Sequence, residues 1–274
     1  MTAPSVVVSG GFDDLRSAQV RFLEEAAKIG SLHVLLWSDA AISRLEGRKP
    51  KFPQAEREYF LRAIRYVADV SLDCDPDGPD SLALPNGLQP AAWVVNAAGD
   101  GEAKRAYCLA GGLEYRVLRS EQLRGLPGGS PELAASSGRK RVLVTGCYDW
   151  FHSGHVRFFE EVSELGDLYV VVGHDANIKL LKGDGHPLFP DTERRYLVQS
   201  IRYVKQALIS TGDGWLDAEP EIGRIKPHIY AVNEDGDRPE KREYCQSQGI
   251  EYRVLKRLPK AGLPRRQSTD LRGF

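Results

Sequence analysis

The feature of this sequence that most constrains its fold is an internal repeat. Three segments of the first half match three of the second: residues 8–39 with 144–175, 52–67 with 189–204, and 94–118 with 231–255. The first pair aligns without gaps, and 13 of its 32 positions are identical. The later matches need only one inserted residue. Since such self-similarity marks a duplicated structural unit, each half of the chain is expected to be a copy of one domain.

Each copy alternates short apolar segments with amphipathic ones. RVLVTG at residues 141–146 is typical of a strand buried in a parallel sheet. The following segment predicts a helix that ends at Gly166, with these apolar residues at helical spacing: Val156, Phe158, Phe159, Val162 and Leu165. This alternation predicts an α/β fold made of two tandem Rossmann-like (HUP-type) domains, with ligands at the carboxyl ends of parallel strands.

The repeat also predicts the domain boundaries. Residues 1–118 form the first copy and residues 139–274 the second. Residues 119–138 between them are rich in Gly, Ser and Pro and lack helical or strand periodicity, so they are predicted to be a linker.

Composition and charge restrict the class of partner. A formal net charge of −1 argues against binding to duplex nucleic acid, which requires surplus Lys and Arg, and favours a small-molecule partner. The four cysteines have no CxxC spacing, so reduced thiols in a cytoplasmic protein are expected. The N-terminus does not resemble a signal peptide, and no segment has the length of a membrane-spanning helix, so no membrane insertion is expected.

One motif combines residue types that suit phosphate chemistry. GCYDWFHSGH, residues 146–155, places His152 and His155 where a predicted strand gives way to a helix. Helix N-termini offer unpaired N–H groups and a positive dipole end, so they favour phosphate. Surface histidines or metal ligands are alternatives for this pair alone. A zinc site needs a third ligand nearby, and the motif contains none.

Three further segments strengthen the phosphate interpretation. Lys182 in LLKGDGHP follows the second strand of its copy, and Arg194 in DTERRY opens a later helix. RRQSTDL near the C-terminus contributes Arg266, Ser268 and Thr269. Taken together, the four segments resemble the cytidylyltransferase-like nucleotidyltransferases, whose signature is a GxFDxxHxGH turn, a KG lysine, an ER helix and a C-terminal ISTT-type segment.

The resemblance covers the whole second half and is strongest to the glycerol-phosphate, choline-phosphate and ethanolamine-phosphate cytidylyltransferases, the last of which also has two tandem copies. Trp215 is similar to a tryptophan common in the choline and ethanolamine enzymes. KGDGHP instead resembles the sugar-phosphate adenylyltransferases of heptose activation. The chain departs from the pattern at residues 233–237, NEDGD in place of a GDD-like segment, and at QST in place of IST.

The resemblance implies attack by an acceptor phosphate or phosphonate on the α-phosphorus of a nucleoside triphosphate, most simply CTP, with Mg²⁺ as the cofactor. It implies His152, His155 and Lys182 as catalytic residues. The predicted nucleotide-binding residues are Gly146, Cys147, Tyr148, Gly154, Arg194, Asn233, Arg266, Ser268 and Thr269. Asp149 and Asp175 are predicted to contact the acceptor. The alternatives are orientation of the metal by either residue, orientation of the turn by Asp149, and a purely structural capping role for each. No residue is predicted to be a dedicated metal ligand.

The first copy lacks these groups. Arg16 replaces His152, Gln19 replaces His155, and Glu46 replaces Lys182. This half is therefore predicted to be catalytically inactive and to act as a built-in partner subunit, a pseudo-dimer within one chain, so that the protein is a monomer or a weak homodimer. An anion site at Arg16 is an alternative. For the whole protein, the alternatives are an adenylyltransferase acting on a sugar phosphate and a non-catalytic nucleotide sensor.

Overall fold

The fold is described from a computed structural model covering residues 4–271, apart from the side chains of Thr269 and Asp270. The chain divides into two compact units, Met1–Gly125 and Leu126–Phe274. The division lies inside the predicted linker. No helix within residues 4–271 is long and apolar enough to cross a bilayer.

The first unit is a five-stranded sheet with helices between its strands. Its elements are β1 (Ser5–Gly10), α1 (Ser17–Ala27), β2 (Ser31–Leu36), α2 (Asp39–Glu46), α3 (Gln54–Ala63), β3 (Asp69–Ser71), β4 (Ala92–Asn96), α4 (Glu102–Ala110) and β5 (Glu114–Leu118). The strands are parallel and lie in the order β3-β2-β1-β4-β5.

The second unit has the same strand arrangement. Its elements are β6 (Arg141–Gly146), α5 (Ser153–Leu165), β7 (Asp167–Val172), α6 (Asp175–Lys182), α7 (Asp191–Gln199), β8 (Val204–Ile209), α8 (Glu219–Ile225), β9 (Ile229–Asn233), α9 (Pro239–Ser247) and β10 (Glu251–Leu255). The order β10-β9-β6-β7-β8, again all parallel, confirms the predicted α/β fold class of two Rossmann-like domains.

The buried core lies where the apolar periodicity of the sequence predicts it. All six residues of β7 are buried, as expected for a central strand covered on both faces. The predicted apolar face of α5 is buried at Val156, Phe158, Phe159 and Val162. Gly166 ends this helix with extended backbone, and a Cβ there would lie 2.1 Å from the carbonyl oxygen of Lys140. Close backbone approach, not a left-handed turn, therefore requires this glycine.

The strand register opens a crevice at one edge of the second sheet. Over the described strands, β6 pairs with β7 along its whole length, from Arg141 to Gly146. Its pairing with β9 is confined to Val142 and Leu143. The carboxyl ends of β6 and β9 therefore separate, at the point where the strand order reverses. Doubly wound sheets bind their ligands at such a switch point.

Part of the segment predicted as a linker is hydrogen-bonded to the second unit. The backbone of Ala134 donates to the side-chain oxygen of Gln206 on β8, and the Gln206 amide donates to the carbonyl of Glu132. Arg195 on α7 donates to the carbonyl of Pro127. Residues 126–137 therefore pack on the second unit, although they form no regular element whose periodicity could have predicted this.

Candidate active site

A cavity of about 500 Å³ lies in the crevice between the ends of β6 and β9. Its lining comprises Thr145, Gly146, Cys147, Tyr148, Asp149, Trp150, His155, Phe158, Lys182, His186, Ala231, Val232, Asn233, Asp235, Gly236, Lys241 and Ser268. Such a volume is within the usual range for a small-molecule site. Eight of the residues predicted from the sequence therefore meet in one cavity: Gly146, Cys147, Tyr148, Asp149, His155, Lys182, Asn233 and Ser268.

The two histidines begin helix α5 and are held by its first turn. The Nδ1 atom of His152 accepts a hydrogen bond from the backbone N–H of Gly154 at 3.1 Å. The Nδ1 atom of His155 accepts one from the backbone N–H of His152 at 3.3 Å. The two rings stack with their centroids 4.0 Å apart. Because each Nδ1 is an acceptor, a neutral ring carries its proton on Nε2.

Both histidines are held in this neutral form. Burial, followed by the charges of Arg257 and Arg266, lowers the pKa of His152 to about 3. Burial, followed by the charges of His152, Arg257 and Lys182, also lowers the pKa of His155. The buried Nε2 atom of His152 has no hydrogen-bond partner among the described residues. Both rings are therefore uncharged and carry their proton on Nε2. His155 lines the cavity, whereas His152 is 2% exposed and lies behind the lining.

Two lysines line the cavity from different helices. Lys182 is the last residue of α6 and is exposed, and Lys241 lies on α9. Among the side chains that the structure describes, which exclude that of Asp270, no carboxylate lies at ion-pair distance from either ammonium. Burial and, secondarily, the charge of Arg238 lower the pKa of Lys241, whose ammonium lies 5.8 Å from the centroid of the Tyr230 ring. The sequence analysis missed Lys241, although the repeat offers a signal because Lys104 occupies the matching position.

The turn after β6 combines a left-handed residue with side chains that pack closely against glycine backbone. Tyr148 has a φ of 55°, a left-handed conformation that is costly for a residue with a side chain. Its ring occupies the space beside Gly146, where a Cβ would lie 2.8 Å from it. A Cβ at Gly154 would lie 2.9 Å from the ring of His152. These glycines therefore allow the tyrosine and histidine rings to pack against the turn.

The C-terminal segment approaches the same helix start. The Ser268 hydroxyl donates to the carbonyl of Trp150 at 3.3 Å. The side chain of Arg257 forms an ion pair with Asp235 and donates to the carbonyl of Arg266 at 3.1 Å. The charges of both arginines act on His152, as the lowered pKa shows. Arg257 was not predicted from the sequence. The side chain of Thr269, a predicted nucleotide ligand, lies outside the described residues.

Comparison with known proteins identifies the family. A family model described as cytidylyltransferase-like matches residues 143–246. An FAD synthase from Ferroglobus placidus is 34% identical over 120 residues, which cover 43% of this chain and 75% of that protein. The chain belongs to the cytidylyltransferase-like family. Its members are nucleotidyltransferases, as the resemblance of the motifs predicts.

Further relatives of this nucleotidyltransferase cover different shares of the chain. A bifunctional protein HldE from Campylobacter fetus subsp. fetus is 25% identical over 238 residues, which cover 81% of this chain and 48% of that protein. A solved lipopolysaccharide core biosynthesis protein from Thermoplasma volcanium is 25% identical, with a TM-score of 0.38, and covers 45% of this chain and 99% of that one.

The geometry of this nucleotidyltransferase corrects the expectation for Arg194. The residue is 2% exposed, and its guanidinium donates to the carbonyls of Phe189, Cys147 and Gly173. It also donates to Asp175 at 2.7 Å. Four of its five N–H groups are therefore used within the protein. Arg194 holds three loops together and is not available to a triphosphate, and Asp175 is its partner and not a lining residue of the cavity.

Asp149 also makes structural contacts, as one of the alternatives in the sequence analysis allowed. Its Oδ1 atom accepts hydrogen bonds from the backbone N–H groups of Leu188 and Phe189, at 2.7 and 3.0 Å. Its Oδ2 atom is buried and has no hydrogen bond in the described part of the chain, although Nδ1 of His186 lies 3.5 Å away. Asp149 thus holds the loop before α7 with one oxygen and leaves the other towards the cavity-lining side chain of His186.

Proposed function

We propose that this protein transfers a nucleoside monophosphate from a nucleoside triphosphate to a small phosphorylated acceptor. An acceptor phosphate oxygen attacks the α-phosphorus, the bond from that phosphorus to the bridging oxygen breaks, and pyrophosphate leaves. The observation that carries the proposal is the pair of neutral histidines at the start of α5, beside a cavity lined by two lysines that have no carboxylate partner among the described side chains.

The reaction needs no general base from the protein. A phosphate monoester has a second pKa of about 6, so the acceptor is already a good nucleophile at neutral pH. The enzyme supplies alignment and compensating charge, as other phosphoryl-transfer sites do. Nε2–H groups of His152 and His155 donate to the triphosphate oxygens as negative charge develops on them. The positive end of the α5 dipole adds to this stabilisation.

The remaining cavity groups divide between the two substrates. Lys182 bridges the triphosphate and the acceptor phosphate, because its side chain is exposed and no described carboxylate pairs with its ammonium. The turn at residues 146–148 gives its backbone to the nucleotide, together with Asn233 at the end of β9. Ser268 lines the cavity from the C-terminal segment and contacts the triphosphate. Arg266 and Thr269 of the same segment are assigned to the triphosphate from the motif alone. Lys241 on α9 provides a second cation for an anionic substrate group.

Magnesium fits the cavity as a partner of the triphosphate. The described residues contain no cluster of three or more His, Cys, Asp or Glu side chains suited to a metal. Mg²⁺ commonly uses one or two carboxylates together with substrate phosphates, so a closed protein cage is not needed. Oδ2 of Asp149 is a buried carboxylate oxygen that accepts no hydrogen bond from any described residue, and it is suited to such an ion. The ion would neutralise phosphate charge.

ATP is the favoured nucleotide and a flavin or sugar phosphate the favoured acceptor. The FAD synthase relatives are named for a product that contains an adenylyl group, and KGDGHP resembles the sugar-phosphate adenylyltransferases. CTP is the second candidate, supported by the family description and by the motif resemblance to cytidylyltransferases.

An activity grid tests the proposal. The full chain is incubated with Mg²⁺ and each of ATP, CTP, GTP and UTP, in turn with FMN, sugar 1-phosphates, glycerol 3-phosphate, phosphocholine and phosphoethanolamine. Pyrophosphate release is the readout, and the His155→Ala variant is the control. We expect release with one nucleotide and one acceptor class, and loss of release in the variant. Tight binding of triphosphates without release in any combination would instead establish a nucleotide sensor.

A further inference from the structure

The first unit retains a cavity at the position of the active-site cavity. It has a volume of about 550 Å³ and lies at the carboxyl ends of β1 and β4, which pair only at Val6 and Val7 over the described strands. One wall of each cavity is built from matching residues of the repeat: Asn96 matches Asn233, Gly99 matches Gly236, and Lys104 matches Lys241. The opposite wall differs, because Gln19 and Glu46 stand where His155 and Lys182 do.

All five charged side chains that line this cavity form ion pairs within the unit. Arg48 pairs with Asp13 at 2.5 Å and with Glu46 at 2.6 Å. The other two are Asp14, which pairs with Arg16 at 2.7 Å, and Lys104, which pairs with Asp80 at 2.9 Å. For both lysines of the second cavity, in contrast, the described part of the chain contains no carboxylate partner. The first cavity therefore offers no uncompensated positive charge to a triphosphate or to another anion.

The rest of the lining suits a planar, uncharged ligand. Four aromatic side chains contribute to it: Phe12, Phe22, Trp37 and Trp93. The side-chain oxygens of Gln19 and Asn96 accept hydrogen bonds from the backbone of Arg16 and Gly99, which leaves their NH₂ groups as donors. Aromatic walls with a few placed polar groups are typical of small-molecule sites. The switch point of a doubly wound sheet is also where nucleotides bind.

We infer that the first unit binds an uncharged nucleoside in this cavity. The base packs among the aromatic side chains, and the amide groups of Gln19 and Asn96 donate to it or to its ribose. Glu46 repels the phosphate chain that Lys182 attracts in the second unit. The first unit thus retains recognition of the nucleoside while lacking the groups that act on phosphate.

Calorimetry with the full chain tests this inference. Adenosine, cytidine, guanosine and uridine, and the four matching triphosphates with Mg²⁺, are titrated into the natural sequence and into the Ala18→Trp variant. Ala18 is exposed at the cavity mouth, so the indole blocks entry without entering the core. We expect the variant to lose one equivalent of nucleoside and to keep its triphosphate stoichiometry and its turnover.

A second pair of variants locates the site. Asn96→Asp keeps an oxygen for the Gly99 N–H but removes the donor and adds charge, so it is expected to weaken nucleoside binding about tenfold. Asn233→Asp, the matched change, is expected to leave intact the equivalent that Ala18→Trp removes. The inference fails if no nucleoside binds, if Ala18→Trp leaves the nucleoside stoichiometry unchanged, or if that variant loses a triphosphate equivalent instead.

Discussion

Arg57 and Arg194 make the same hydrogen bonds in the two units. Each residue is 2% exposed. Its guanidinium donates to three backbone carbonyls and forms an ion pair with the first residue of a helix, Asp39 or Asp175. The first unit has lost the histidines and the lysine of the active site but keeps this arrangement. The arginine therefore belongs to the fold, which both units need, and not to the chemistry.

Replacement of either arginine is expected to destabilise its unit. Methionine fills a similar volume but leaves three carbonyls without donors, so Arg57→Met and Arg194→Met should each lower the free energy of unfolding by about 3 kcal/mol. Calorimetric unfolding of both variants measures this. If Arg194→Met unfolded normally and only raised the KM for the triphosphate, the arginine would be a substrate ligand after all.

Loss of a cavity donor is expected to reduce turnover without unfolding. His155→Ala and Lys182→Ala should each lower kcat about a hundredfold or more, since each removes a preorganised group from developing phosphate charge. The matched changes Gln19→Ala and Glu46→Ala should leave kcat close to that of the natural sequence. Initial rates of pyrophosphate release, with circular dichroism as a folding control, provide the measurement. Near-normal rates in the first two variants would refute the site.

Lys241 is expected to contribute to substrate affinity. Its ammonium lines the cavity without a carboxylate at ion-pair distance in the described chain, so an anionic substrate group can pair with it. Lys241→Met should raise the KM for one substrate about tenfold or more, with a smaller effect on kcat. Lys104→Met serves as the control, because Asp80 already pairs with Lys104. Unchanged KM values for both substrates of the Lys241 variant would contradict the assignment.

The buried, neutral His152 is expected to make stability depend on pH. Its pKa is about 3 in the folded protein and about 6.5 when unfolded, so on acidification the unfolded chain gains a proton first. Stability should be highest above pH 6.5 and fall as the pH drops towards 3. From pH 7 to 5.5 the loss from this residue is about 1 kcal/mol.

His152→Asn isolates this contribution, because asparagine is a good N-cap but does not titrate. Urea unfolding at several pH values should show a shallower dependence between pH 7 and 5.5 for the variant. Parallel curves for both proteins would mean that His152 titrates normally in the folded state.

Local sequence patterns were sufficient to predict the fold class and the individual strands and helices. Continuous apolar runs predict buried parallel strands, and the face of α5 with Val156 and Phe159 follows from helical spacing. The repeat predicts one architecture for both halves. Strand order could not be read in this way, because it depends on pairing between segments far apart in the chain, such as β6 with β9.

The placement of residues near the cavity was predictable where they cluster in a motif. His152 and His155 share one helix turn, and Lys182 ends the next helix. Arg194 was misassigned because a motif gives residue type but not burial, and its hydrogen-bond acceptors come from three separate loops. Lys241 and Arg257 were missed because neither belongs to a recognised motif. The match of Lys241 with Lys104 in the repeat was a signal for the first, whereas only the fold brings Arg257 near the start of α5.

Because residues 126–137 pack on the second unit, the start of the repeat and the start of the compact unit lie at different residues. The duplicated sequence of the second copy begins near residue 139, whereas the compact unit begins at Leu126. The extra segment supplies polar partners for Gln206 on β8, the edge strand of its sheet. A fragment cut at the edge of the repeat would leave that strand uncovered and open to pairing with other chains. The duplicated segment is thus shorter than the segment that an isolated second unit needs in order to protect its edge strand from aggregation.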